Sequence, residues 1–296
     1  MSVVTRFAPS PTGLLHLGHA YAALFAELHA RARGGRFLLR FEDIDATRCR
    51  AEYRAAIEAD LAWLGVVWDG DVRVQSAHFP QYRAALDALA ARGLLYPCFC
   101  TRADIAREIA AAVDAPHTPD GSPRYGGACR RLSPAERTRR QRAGVPFALR
   151  LDMAAALAAA LATAPDGLDF AEDGEGRVPC DPARFGDVVL ARKDVPASYH
   201  LCVTHDDALQ GVTLVTRGAD LRPATDLHRL LQTLLGWPAP RYAHHRLLAD
   251  AAGRRLAKRD RATTLSDLRN AGWTPADVRA AVGMEQHRHP GRNQSG

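Results

Sequence analysis

Two histidines three residues apart, His16 and His19, close a loop that Pro9, Pro11 and Gly13 keep irregular. The Ala- and Leu-rich run from Leu17 to Arg31 follows and reads as a helix. Its first turn offers unpaired N–H groups and the positive end of the helix dipole, which together make an anion site. Both imidazoles can face that anion, and Gly18 between them lets it approach the backbone closely. The chemistry this suits is stabilisation of charge on a phosphate. Late in the chain, Gly253-Arg-Arg-Leu-Ala-Lys-Arg-Asp260 is a basic run that by itself reads as a solvated loop and gains a phosphate role only beside the histidine loop.

Other residues ask for different chemistry. Glu42, in Phe37-Leu-Leu-Arg-Phe-Glu-Asp-Ile-Asp45, ends a predicted strand. Open α/β sheets place ligands at such ends, and a carboxylate there can hold an ammonium group. Cys98-Phe-Cys100 and Cys129 supply three thiolates, with Tyr125 four residues before the last. Zinc takes four ligands, soft sulfur among them, and can pin a segment that lacks a core. On general grounds His117 is the fourth ligand, because imidazole is the commoner donor. Cys49, Cys180 and Cys202 read as buried small residues or bystanders.

These residues need a scaffold. Residues 3–7 and 37–41 read as buried strands flanking the first helix, a strand–helix–strand unit with parallel pairing. Residues 51–64 and 81–92 read as amphipathic helices, 147–152 as a strand and the alanine-rich 154–162 as a helix. Strands are expected at 188–191 and 212–216, and a helix at 226–235. The segment 98–131 breaks the alternation, and 166–187 reads as a loop. Thr274-Pro275 with Asp277 reads as a helix cap. The tail 287–296 is polar and is expected to lack order.

With 296 residues, 47% hydrophobic and 24% charged, the chain suits one large globular domain or two modest ones. No apolar run reaches the ~20 residues of a membrane helix. The N-terminus lacks the pattern of a signal peptide, so a cytoplasmic protein without a membrane partner is expected. There a disulfide framework is not expected from the six cysteines. The net charge of +6 suits a polyanionic partner. Arginine dominates the basic residues and clasps phosphate with two bonds, although a GC-rich genome explains the bias equally well.

The string ending at His19 resembles the HIGH signature of class I aminoacyl-tRNA synthetases, and its full length resembles the glutamyl branch. Residues 255–259, Arg-Leu-Ala-Lys-Arg, resemble the KMSKS loop; they depart from it at Arg255 and Ala257 and keep Lys258. The resemblance runs from about residue 3 to about residue 264. It implies an α/β fold: a Rossmann-like class I catalytic core with a zinc-binding insertion of the acceptor type. The halves of the core fall at 1–96 and 185–264, the insertion at 97–184, and a short helical extension with the polar tail at 265–296. The resemblance further implies His16, His19 and Lys258 as catalytic residues, with ATP and Mg2+ held at His16, Gly18, His19 and Lys258. It assigns glutamate to Arg6, Phe7, Ala8, Pro9 and Ser10, together with Glu42, Tyr199 and Arg217. Arg6 and Arg217 would be the cationic partners of an acidic side chain. For the structural Zn2+ it favours Cys98, Cys100, Tyr125 and Cys129.

About 37 residues follow Arg259, far short of the anticodon-binding domain of a full glutamyl enzyme. This resembles the truncated glutamyl-type enzymes that activate glutamate without tRNA and transfer it to queuosine in the anticodon loop of tRNA(Asp). A monomer acting on glutamate, ATP and that tRNA is expected. A minimal glutamyl-tRNA synthetase, an HxGH nucleotidylyltransferase and a catalytically silent RNA-binding relative are the alternatives.

Overall fold

A computed structural model describes residues 2–110, 117–119, 121–248 and 263–285. Strand β1 (Val4–Phe7) pairs in parallel with β2 (Arg36–Phe41), Val4 opposite Arg36 and Phe7 opposite Leu39. The short β3 (Arg73–Val74) continues the sheet beside β2. Strands covered on both faces are apolar throughout rather than alternating, which explains the buried run Phe37, Leu38, Leu39. Helix α1 (Leu17–Arg31) is the crossover, and its Ala20, Ala23, Leu24 and Ala26 face the core. Helices α2 (Ala51–Trp63) and α3 (Phe79–Ala91) follow as the periodicity predicts.

Strand β4 (Leu95–Cys98), helices α4 (Arg102–Ala110) and α5 (Pro134–Arg142), strand β5 (Ala148–Leu151) and helix α6 (Met153–Leu161) come next. After them lie β6 (Asp169–Glu172), β7 (Gly176–Pro179), β8 (Val189–Ala191), α7 (Tyr199–Leu209) and β9 (Leu214–Gly218). Helix α8 (Ala224–Leu235), strand β10 (Arg241–His245) and helices α9 (Leu265–Asn270) and α10 (Pro275–Ala281) complete the order.

Strand β9 lies beside β1: the Thr213 N–H donates to Val4 O at 3.0 Å, and the Val4 N–H to Thr213 Oγ1 at 2.9 Å. Because β9 also pairs in parallel with β10, the two halves of the chain meet at the β1–β9 seam. That seam is a switch point, where open α/β sheets bind ligands.

Two expectations need correction. Residues 166–187 are not a loop: β6 and β7 form an antiparallel hairpin, and β6 joins β10 through Tyr242 and Glu172. The glycines and acidic residues that suggested a loop occupy its turn and exposed edge. Nor does the segment that begins at Cys98 lack regular packing: β4, β5 and β8 make one antiparallel sheet between Leu95 and Ala191. The segment from Cys98 also has a small core of its own, formed by Tyr96, Cys98, Phe99, Tyr125 and Cys129.

Thr274 caps α10 as expected, accepting the Asp277 N–H through its hydroxyl, with Pro275 in the first turn. The C-terminal helices return to the start of the chain: the Leu265 N–H donates to Leu15 O at 2.8 Å, and Leu265, Val278 and Val282 enter the core that holds Leu24. The loop 253–260 with Lys258, and the tail 287–296, lie outside the described residues.

Asp206 fastens α7 to the β3–α3 turn. It is fully buried and accepts from Gln75 Nε2 at 2.9 Å, Tyr82 Oη at 2.8 Å and an Arg73 nitrogen at 2.9 Å. Burial opposes its charge, but His205, Arg40 and Arg73 prevail and hold it at about 2. Asp206→Ala should cost about 3–5 kcal/mol in urea unfolding, because a buried cation and hydroxyl lose their acceptor. A cost under ~1 kcal/mol would show that the network relaxes.

Candidate active site

The ends of β1, β2, β9 and β10 open onto one cavity of about 600 Å³. Arg6 and Phe7 enter it from β1, and Ala8, Pro9 and Ser10 from the loop that follows. His16, Gly18 and His19 line it from the start of α1, Glu42 from just past β2, Tyr199 from the first turn of α7 and Arg217 from β9. Every pocket residue singled out in the sequence therefore meets at this place, apart from Lys258, which is not among the described residues.

The two histidines form a reciprocal cap. His16 Nδ1 accepts the Gly18 N–H at 3.1 Å, and His19 Nδ1 accepts the His16 N–H at 3.3 Å. Both Nδ1 atoms act as acceptors, so each neutral ring carries its proton on Nε2. The ring centroids lie 3.9 Å apart. The sequence thus sets two Nε2–H donors at the positive end of a helix, where the Gly18 N–H is taken by His16 Nδ1 and the His19 and Ala20 N–H groups by His16 O.

Beneath the cavity floor, charges are paired. Arg6 Nε donates to Asp207 Oδ1 at 2.9 Å, and Arg6 Nη1 to Thr216 O at 3.0 Å. Arg40, wholly buried, shares Asp207 at 2.9 Å and reaches Glu42 Oε1 at 3.2 Å. Burial works against the Asp207 carboxylate, but Arg6 and Arg40 hold it below its usual range. For Glu42, burial outweighs Arg40 and Arg6 and raises the carboxyl. Burial, followed by the charge of Glu42, likewise raises the Tyr199 hydroxyl.

Arg217 is held differently. Its Nη2 donates to Thr225 Oγ1 at 2.6 Å, its Nη1 meets His228 Nδ1 at 3.1 Å and its Nε donates to His244 Nε2 at 3.2 Å. Gly218 follows, where a Cβ would fall 2.5 Å from Asp220 Oδ1 and 2.9 Å from Leu247 Cδ2, so a larger residue would have to push these two side-chain ends aside. Burial and then Arg217 lower both imidazoles, His244 to about 4 and His228 well below 6.5.

This shift gives the stability a pH sign. Between about 4 and 6.5 the unfolded chain binds protons that the folded imidazoles refuse. The contribution is complete above 6.5 and is lost as pH falls toward 4. Thermal unfolding from pH 7 to 4.5 should show the decline, and His244→Gln should flatten it; an unchanged slope would contradict the assignment.

A second cluster lies on the small sheet. Cys98 and Cys129 are buried, Cys100 is half-buried, and their sulfurs lie within 4.8 Å of one another. Tyr125 Oη is 3.4 Å from Cys100 Sγ and accepts the Cys129 N–H at 2.7 Å. Three thiolates ~2.3 Å from one tetrahedral metal lie about 3.8 Å apart, so this triad could hold an ion with small shifts. Burial pushes the Cys100 thiol to about 12. At Cys129 burial is outweighed by hydrogen bonds from Tyr125 and the Phe99 N–H, which lower it. His117 is exposed, bridges to Pro123 and stands outside the group.

Sequence reasoning missed Arg40, Asp207, His228, His244 and Glu172. Arg40 carried a signal, a charge inside an otherwise apolar strand. The histidines carried none, because each becomes meaningful only through a partner far along the chain.

The family described as tRNA synthetases class I (E and Q), catalytic domain, matches residues 2–287. The glutamyl-Q tRNA(Asp) synthetase of Rhodobacter capsulatus is 49% identical over 95% of this chain and 100% of its own length. That of Nocardia farcinica is 47% identical over 94% of this chain and 82% of its own. The glutamate–tRNA ligase of Aquifex aeolicus is 38% identical over 92% of this chain, which spans 55% of that enzyme. The solved glutamate–tRNA synthetase of Elizabethkingia anophelis superposes with a TM-score of 0.78 at 26% identity, over 96% of this chain and 61% of that one. The fold and site define a catalytic domain of the class I tRNA synthetases, ligases that use ATP, and the chain belongs to that family. Within it, the chain belongs with the glutamyl-Q tRNA(Asp) synthetases.

Proposed function

We propose that this chain activates glutamate with ATP and Mg2+, without tRNA, and transfers it to queuosine in the anticodon loop of tRNA(Asp). The observation that carries this reading is the convergence of Arg217, Glu42, Tyr199 and the two capping histidines on one cavity at the switch point. The likeness to the Rhodobacter enzyme, along its whole length, supports the acceptor.

Glutamate lies with its side-chain carboxylate on Arg217 and its ammonium group near Glu42. An oxygen of its α-carboxylate attacks the α-phosphorus of ATP. The bond to the β-phosphate oxygen breaks, and the electron pair leaves with pyrophosphate. His16 and His19 give Nε2–H bonds to the phosphate oxygens as charge grows there, the positive dipole end of α1 favours that charge, and Lys258 neutralises the leaving group. A queuosine hydroxyl then attacks the activated carbonyl, forms an ester and releases AMP. Arg6 keeps the floor in place through Asp207. A cytoplasmic monomer suits a tRNA substrate. Among the described residues no helix is long and apolar enough to cross a membrane.

Purified protein should catalyse glutamate-dependent ATP–pyrophosphate exchange with no tRNA present. Exchange that began only on addition of tRNA(Glu) would contradict this reading.

For the cysteine cluster we propose structural zinc held by Cys98, Cys100, Cys129 and Tyr125 within the expected insertion. When bound, the ion supplies a cross-link and no catalytic step. The protein should contain about one zinc per chain, and Cys98→Ser should release it and loosen 98–131. Tyr125→Phe should lose zinc to a chelator faster; unchanged retention would move the fourth ligand to His117.

A further inference from the structure

Two of the arginines that line the cavity, Arg6 and Arg217, are treated differently. Arg6 and Arg40 share Asp207, and Arg40 also meets Glu42, so these four side chains carry two positive and two negative charges. Arg217 is equally buried, at 6% exposure, but its three nitrogens meet a hydroxyl and two imidazoles. A guanidinium only donates, so both imidazoles must present a lone pair to it. That requirement fixes their tautomers. His228 carries its proton on Nε2, facing His200 Nδ1 at 3.2 Å. His244 carries its proton on Nδ1 and gives it to Glu172 Oε2 at 2.7 Å, while its backbone N–H donates to Glu172 Oε1 at 2.8 Å. Glu172 therefore accepts twice and holds the ring in the one tautomer that can receive Arg217.

We propose that His228 and His244 are positioning residues: they satisfy the hydrogen bonds of Arg217 without neutralising it and reserve its charge for the carboxylate of an acidic substrate. Glu172 serves the same end by locking His244. A carboxylate at either place would bind Arg217 more strongly and compete with the substrate for it. Discrimination between glutamate and glutamine then rests on the neutrality of this cage as well as on Arg217. The inference deepens the proposed function and rests on Arg217 receiving the side-chain carboxylate.

The test uses an isosteric pair. In His228→Asn, Oδ1 stands near the place of Nδ1 and accepts from Arg217 without charge. In His228→Asp the same atom carries charge. Exchange kinetics with glutamate and with glutamine should be measured on the full chain, together with Tm. The KM for glutamate should be at least ~10-fold higher in the Asp variant than in the Asn variant, with KM for ATP matched within about 2-fold. The Asp variant should melt no lower than the Asn variant. Equal KM values for glutamate, with both variants folded, would overturn the proposal.

Glu172→Gln is a second arm that does not depend on His228. An amide can accept only one of the two donors of His244, so the tautomer is no longer fixed. The ratio of glutamate to glutamine activity should fall at least ~5-fold in that variant. An unchanged ratio in a folded protein would also overturn the proposal. Arg217→Ala separates this failure from that of the underlying reading. If it leaves KM for glutamate unchanged, the reading itself falls and takes the cage with it. If it raises KM while the Asp–Asn pair stays equal, only the cage is lost.

Discussion

Replacing His19 by alanine should lower glutamate-dependent ATP–pyrophosphate exchange by about 100-fold or more. The ring sits at the start of α1, where its Nδ1 accepts the His16 N–H and its Nε2 carries the remaining proton. That proton is the group offered to the phosphate in the transition state. Alanine also removes a helix cap, worth about 1 kcal/mol of stability, so the loss of rate needs a control. His19→Asn supplies one: its Oδ1 can take the place of Nδ1 and keep the cap, but it has nothing where Nε2–H stood. Exchange should remain low in the Asn variant while its Tm returns toward that of the parent. Lys258→Ala should fall by a similar factor. Recovery of exchange in His19→Asn would mean that His19 acts only on the fold.

The second large effect concerns charge. Arg217→Ala should raise KM for glutamate by about 100-fold or more and change KM for ATP by no more than a few-fold. Arg6, another cation of the cavity lining, already faces Asp207 at 2.9 Å. Without Arg217 an acidic side chain would enter a closed pocket unpaired. Initial rates with each substrate varied in turn would measure both constants. Equal rises in both would assign Arg217 to the structure of the sheet instead.

The part of this site that is contiguous in sequence was legible. The run from Arg6 to His19 carries a strand end, a Pro-rich loop and a helix start in a single string, and β1, α1 and β2 formed close to where periodicity placed them. Glu42 was legible because it follows a buried strand. The hairpin at 169–179 was not, because its turn residues outnumber its apolar ones. Phe170 is its one buried apolar residue, with Val178 packed against the same core, and the strand gains its place by pairing with β10. The cage around Arg217 was likewise hidden. Glu172, His228 and His244 stand on three different elements, and no local pattern marks a histidine as neutral before its neighbours are known. The cysteines were visible as a cluster, but whether Tyr125 or His117 stood beside them depended on the fold of the small sheet.

The central claim is the acceptor. An anticodon loop docked in the cavity would bring its own nucleophile to the glutamyl adenylate, and the basic excess of the chain would contact its phosphates, so binding should weaken as salt rises. The most direct measurement supplies labelled glutamate, ATP and Mg2+ with three RNAs: queuosine-containing tRNA(Asp), the same tRNA lacking queuosine, and tRNA(Glu). Label is expected on the first alone, as an ester that mild base removes. Label on the 3′ end of tRNA(Glu) would contradict the account and make this chain a minimal glutamyl-tRNA synthetase.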